Sequence, residues 1–312
     1  MNNTVATPPQ PVNVPPSPAK APRKSASGDR PGAGGRAGWL IKSALAFICL
    51  LWLLPTFGLL VTSFRNPVDA NADGWWNAIK SPLGFTLDNY SAVLTANQGN
   101  PMLNSFINSV AVTVPATIIP IMIAAFAAYA FTFMEFRGRD ALFIVVVGLL
   151  VIPNQVAFVP LFSLFRQLGL NGEFASVWLC HAGFGMPLAV YILRNYMSTL
   201  PRAVIESAKI DGASHFQTFW KLIIPMSVPA LASFAIFQFL WVWNDLLIAL
   251  IFLGQGDNMV MTVNLAGMLG NEGQGWNLLT AGGFLTMVVP LAVFLSLQRY
   301  FIRGMTSGSV KG

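Results

Sequence analysis

Charge is scarce in this chain. Asp, Glu, Lys and Arg together make up 10% of its 312 residues, where a soluble globular domain carries about 25%. With apolar residues at 54% and a mean hydropathy of +0.61, the deficit excludes an ordinary water-soluble domain. Cysteine occurs twice, as Cys49 and Cys180, each inside an apolar run, so neither a disulfide framework nor a zinc-ligand spacing is on offer. Histidine also occurs twice. His181 adjoins Cys180, but adjacent residues cannot converge on one metal, and no other Cys or His lies in helical register with them. Also missing are G-x-x-x-x-G-K-[ST], H-E-x-x-H and G-x-S-x-G, and no two carboxylates share an apolar run. The chain therefore does not cradle nucleotide phosphates itself, offers no catalytic set, and is expected to bind no metal or other cofactor of its own.

What the chain has in quantity is long apolar sequence. A helix needs about 20 apolar residues to cross a bilayer's hydrocarbon core. Runs of that order cover Trp39–Phe64, Met102–Met134, Ala141–Phe165, Phe174–Tyr196, Met226–Leu253 and Trp276–Ile302. They predict an all-α, polytopic membrane protein with six transmembrane helices over residues 39–312. Residues 1–38 are rich in Pro, Ala, Ser and Gly and carry Lys20, Arg23, Lys24, Arg30 and Arg36. Such a segment cannot bury enough apolar surface to offset its ordering entropy, and reads as a disordered basic tail. A cleaved targeting peptide is the alternative, but the apolar run after it exceeds a signal-peptide core.

Six crossings put both ends on one side. With the tail, the Arg137/Arg139 turn, the segment 200–229 and the C-terminus on that side, every basic residue joins them except Arg65, Lys80 and Arg166. Asp69, Asp73, Asp88, Glu173, Asp257 and Glu272 fall opposite. Lysine and arginine stay on the cytoplasmic side of membrane proteins, so both termini are expected in the cytoplasm. The net charge of +6 is thereby explained as topology, with no nucleic acid required.

The polar stretch Leu200–Pro229 lies between two membrane-length runs. Pro201 suits the first turn of a helix, which continues through Glu206, Ser207, Ala208 and Lys209 and stops after Asp211 at Gly212, a residue free to take the left-handed conformation that closes helices. Beyond Ala213, Ser214 is an N-cap candidate, with Gln217 at the spacing of a reciprocal capping box. Phe216, Phe219 and Trp220 then share one face, and Pro225 and Pro229 are expected to end the unit. Such a helix-glycine-helix elbow with an aromatic face is either a docking element or an unpartnered amphipathic loop.

Glu206-Ser207-Ala208, Gly212 and Leu222-Ile223-Ile224-Pro225 resemble the EAA loop of binding-protein-dependent ABC importers: E-A-A, three residues, G, nine residues, I-x-L-P. Departures are Ser207 for Ala, Leu222 for Ile and Ile224 for Leu. Ile210-Asp211-Gly212-Ala213-Ser214 and Phe85-Thr86-Leu87-Asp88-Asn89-Tyr90 are similar to the carbohydrate-uptake branch, above all to the smaller membrane subunit of the maltose importer. The resemblance implies a bacterial inner-membrane permease for an oligosaccharide, disaccharide or glycoside. A second, homologous permease would pair with it, and an extracellular solute-binding protein would deliver the substrate. A dimer of ATPase subunits would carry ATP and Mg and would contact the elbow, where Glu206 is available for a basic partner. The C-terminal residues Arg303–Gly312 would be a second contact. A non-sugar importer and an ion-coupled transporter are the alternatives; the latter calls for several intramembrane acids.

Within the apolar runs, Asp245 is the acid whose placement needs explaining, because a carboxylate at a helix centre costs about 2.5–3.5 kcal/mol on insertion scales. Asp245 and Asn244 either line a substrate path or sit capped near the outer interface. Trp241 and Trp243 stack on sugar rings or simply pack. Asn154 and Gln155, after Pro153, join helices or line the same path. Gly183 and Gly185 are expected to mark close helix packing, and the prolines within the runs to kink their helices.

Overall fold

The computed structural model describes residues 36–80, 84–95, 101–268 and 275–306, and all regular structure among them is helical apart from one isolated bridge, Arg65 to Phe85. Most of the expected basic tail, Glu272 and residues 307–312 lie outside the described set. Helix α1 (Arg36–Phe64) is apolar around its circumference and runs through Pro55, the composition of a span that faces lipid. Its residues up to Leu53 form one compact unit; Leu54 onward forms another.

In the second unit, α2 (Pro67–Ala72) and α3 (Asp88–Thr95) precede α4 (Met102–Phe133), a span that continues through Pro115 and Pro120. α4 packs along α7 (Phe174–Met197), which continues through Pro187. The contact uses small residues, with Ala116, Ala124, Ala125, Ala128 and Ala189 all fully buried. Small side chains let backbones approach closely where lipid supplies no hydrophobic drive for helix association. Gly185 is close-packed on a different helix, since a Cβ there would lie 2.6 Å from Oε1 of Gln238 in Ile224–Trp243, whereas Gly183 faces open space.

The third apolar run is not one straight helix. α5 (Arg139–Gly148) passes through a short 3-10 turn, Leu149–Val151, and the chain bends by 94° before Asn154–Ala157 and α6 (Phe158–Gln167). The cause is local: a residue before proline is pushed out of the helical region, and Ile152 and Pro153 are both extended, with ψ of 121° and 124°. The described residues thus hold five continuous helices of spanning length, or six spans if this bent pair counts as one.

The fifth span also differs from expectation. α8 (Arg202–Ile210) has Pro201 as its N-cap rather than in its first turn, and Pro225 and Pro229 terminate nothing. From α9 (His215–Thr218) the helix continues through a π turn, Phe219–Ile223, into α10 (Ile224–Trp243). A proline within a helix lacks an amide and its ring collides with the carbonyl four residues back. The wider π turn shifts the backbone bonding just ahead of Pro225, so the helix is not stopped there. α11 (Leu247–Phe252), α12 (Met261–Ala266) and α13 (Trp276–Thr306), the last running through Pro290, complete the chain.

Candidate coupling elbow

Gly212 has φ +78°, and the end of α8 is a complete Schellman closure. Gly212 N donates to Lys209 O at 3.1 Å, and Ala213 N to Ala208 O at 2.9 Å. A Cβ at Gly212 would meet nothing within 4 Å, so glycine is required here for its backbone conformation and not for space. Two residues on, Ser214 Oγ accepts from Gln217 N at 3.3 Å and Gln217 Oε1 accepts from Ser214 N at 2.9 Å. The reciprocal cap fixes the start of α9 directly after the glycine turn.

The elbow divides into an anchored side and an exposed one. Ile205, Ala208, Thr218 and Phe219 are buried. Phe219 stacks on Phe126 of α4 with ring centroids 4.4 Å apart, and meets Tyr129 edge-on at 5.4 Å. The single aromatic face foreseen from spacing is therefore split: Phe219 belongs to the protein's own core because Phe126 and Tyr129 cover it. Phe216 is 67% exposed, Trp220 38% and Ile210 86%. Glu206, Ser207, Asp211, Gly212 and Ser214 are exposed too, and Ala213 is half-buried. Ile210 escaped the sequence reading because it stands between Lys209 and Asp211 with no apolar periodicity to mark it. An isoleucine and a phenylalanine presented together at a polar tip form a surface that burial under a partner would stabilise by about 1.5–3 kcal/mol per side chain.

The residues expected along a path are dispersed. Gln155 is exposed and Asn154 half-buried at the bend of the third run. Asn244 is exposed beyond the end of α10 and bonds its own helix, Nδ2 to Leu240 O at 2.7 Å. Asp245 is held from three sides. Its Oδ2 accepts from Ala249 N at 3.1 Å at the start of α11, its backbone oxygen accepts from Thr262 Oγ1 at 2.7 Å, and His181 Nε2 of α7 lies 3.9 Å from Oδ2. The backbone amide caps the carboxylate at a break in the helix where free amides are available. Trp243 is buried, stacked on Phe239 and donating to Thr286 O at 3.1 Å, and Trp241 lies edge-on to His181. Trp241 itself is half-buried. Among the described residues no three Cys, His, Asp or Glu side chains come together as a metal site.

An all-helical chain of membrane spans, interrupted by a glycine-closed elbow at one surface, has the architecture of a transport permease. Residues 120–307 match the family described as binding-protein-dependent transport system inner membrane component, and the chain belongs to that family. It is 55% identical to an alpha-glucoside transport system permease protein of Rhizobium meliloti, covering 88% of this chain and 97% of that one. It is 51% identical to an osmoprotective compounds uptake permease protein of Synechocystis, over 87% and 91% of the two chains. A bacterial ABC transporter for the import of alginate shares its fold, with a TM-score of 0.62 at 16% identity over 86% of this chain and 96% of that one. The protein is a permease subunit of a binding-protein-dependent ABC importer, a multi-pass inner-membrane component whose ATP is hydrolysed on a separate subunit.

Proposed function

We propose that this permease carries a neutral glycoside or short oligosaccharide, an α-glucoside first among them, and that its elbow is where ATPase motion enters the membrane. The substrate class rests on the relatives: one over half identical is named for alpha-glucosides, and others for arabinooligosaccharides and trehalose. The coupling role rests on the exposed Ile210 and Phe216 beside Glu206, set on a rigidly closed turn between two spans. In this reading both termini and the elbow are cytoplasmic. A second homologous permease completes the translocation pathway, and an extracellular solute-binding protein delivers the sugar. An ATPase dimer receives the elbow, and closure of that dimer on ATP and Mg rocks the helical bundles from inward- to outward-facing. Asp245, Asn244, Asn154 and Gln155 do not converge on one site within this chain, so the path they contribute to is completed by the partner permease.

The test is purification from native membranes with the endogenous partners, followed by uptake in reconstituted vesicles. An ATPase should co-purify, and labelled maltose or sucrose should accumulate with ATP inside and binding protein outside. Accumulation of only a non-sugar solute would overturn the substrate reading and leave the permease assignment standing.

A further inference from the structure

His215 is the first residue of α9, and its Nδ1 lies 3.0 Å from the hydroxyl of Tyr129, near the end of α4. The two residues are 86 positions apart, and their hydrogen bond ties the elbow to α4. Tyr129 itself is 5% exposed, whereas His215 stands at the exposed surface of the elbow. Around it the rings close up, with Phe219 edge-on to Tyr129 and stacked on Phe126, and Trp220 edge-on to Phe126. On its other side α9 is continuous with α10 through the π turn.

We propose that Tyr129 and His215 form a clamp that makes α4 move with the elbow, and that Tyr129 is a positioning residue for coupling. The proposal rests on the reading of the elbow as the coupling element. Displacement of α9 reaches α10 directly through the backbone, but it can reach α4 only through side chains. Aromatic stacking resists compression and slides easily in the ring plane, whereas a hydrogen bond fixes both distance and direction. The bond therefore supplies the restraint against sliding that stacking lacks. Because α4 packs along α7, a displacement that reaches α4 is handed on to a third span, and α4, α7 and α10 respond as one body.

Tyr129→Phe isolates the effect, since it keeps every ring contact and removes only the hydroxyl. In the complete importer reconstituted in vesicles, the variant should retain its ATPase and its basal hydrolysis. Stimulation of hydrolysis by loaded binding protein, and sugar uptake per ATP, should fall roughly two- to tenfold, the range a single hydrogen bond supports. His215→Phe should produce the same loss, and Tyr129→Phe should add nothing in its presence. His215→Gln, which keeps a polar atom within reach, should recover part of it. Unchanged stimulation in Tyr129→Phe, additive losses in the double variant, or a lowered melting temperature with an unchanged uptake-to-hydrolysis ratio would each overturn the clamp. Failure of the elbow reading is separately visible: Glu206→Lys would then leave ATPase retention and transport intact.

Discussion

Arg65 stands on the acidic side of the lysine and arginine asymmetry, and its surroundings explain how it is kept there. Its side chain is almost fully buried, one guanidinium nitrogen pairing with the Asp73 carboxylate and another donating to Asp73 O at 3.1 Å. Asn89 closes the same site, with Nδ2 donating to Ser63 O and Arg65 O and Oδ1 accepting from Asn277. The Arg65 guanidinium holds the Asp73 carboxyl below the ordinary carboxylate range through its hydrogen bond, with its positive charge adding to the effect. A carboxyl with a lowered folded pKa contributes stability above its unfolded pKa of about 4, and that contribution is lost as pH falls through the folded value. Asp73→Asn should therefore be less heat-stable than the wild type at pH 7, with the gap closing in acid, as thermal unfolding of the solubilised protein at pH 7 and near pH 3 would show. A gap of equal size at both would mean that the pair is not its source. The sequence marked Arg65 as an exception but could not supply its partner's geometry. It likewise presented Asp245 as solitary, because nothing local announces His181, 64 positions earlier.

At the scale of elements, the elbow was legible because its rules are local. A glycine at φ +78° and a Ser-x-x-Gln box act within four residues, and both stand where their spacing placed them. The fifth span was misread at Pro225 because the π turn depends on Phe219 and Ile223 being drawn into a core built from α4 and α7, which no local pattern records. The third run was half legible. Pro153 announced a disturbance, but the 94° bend limits the first arm to Arg139–Val151, about 20 Å, short of the ~30 Å of a bilayer core. Such a pair either crosses as a broken span or returns to the side it left. The charge asymmetry predicts a crossing, since the Arg137 turn and the elbow share one side only if the pair and α7 both cross. With Cys49 and Cys180 replaced, Glu173→Cys should react with an impermeant maleimide from outside and Arg137→Cys only after permeabilisation. Equal reaction of both from outside would make the pair a re-entrant hairpin and remove one span from the fold.

At the scale of the whole molecule, the proposed role makes the chain a converter with its input at the elbow. The glycine closure sets the angle between α8 and α9, and with it the relative placement of Ile210 and Phe216, one on each side of the turn. Because a Cβ at Gly212 would meet nothing within 4 Å, substitution there acts first through the backbone. That makes it an unusually clean perturbation of tip geometry. Holding a residue with a Cβ in the left-handed region costs about 1–2 kcal/mol, more for a β-branched one and least for asparagine. Gly212→Val should therefore insert in the membrane and pair with its partner permease, because the spans are untouched, yet bind the ATPase roughly five- to thirtyfold more weakly. Stimulation of hydrolysis by loaded binding protein should fall with it, and Gly212→Asn should stay near the wild type. Glu206→Lys probes the same contact by charge: beside a basic partner it replaces attraction with repulsion, and a compensating acidic substitution on the ATPase should restore uptake. The deciding measurement is ATPase retained on the purified permease pair. Full retention and normal uptake in both Gly212→Val and Glu206→Lys would mean that force enters the membrane elsewhere, and the elbow would then be a rigid turn with no coupling role.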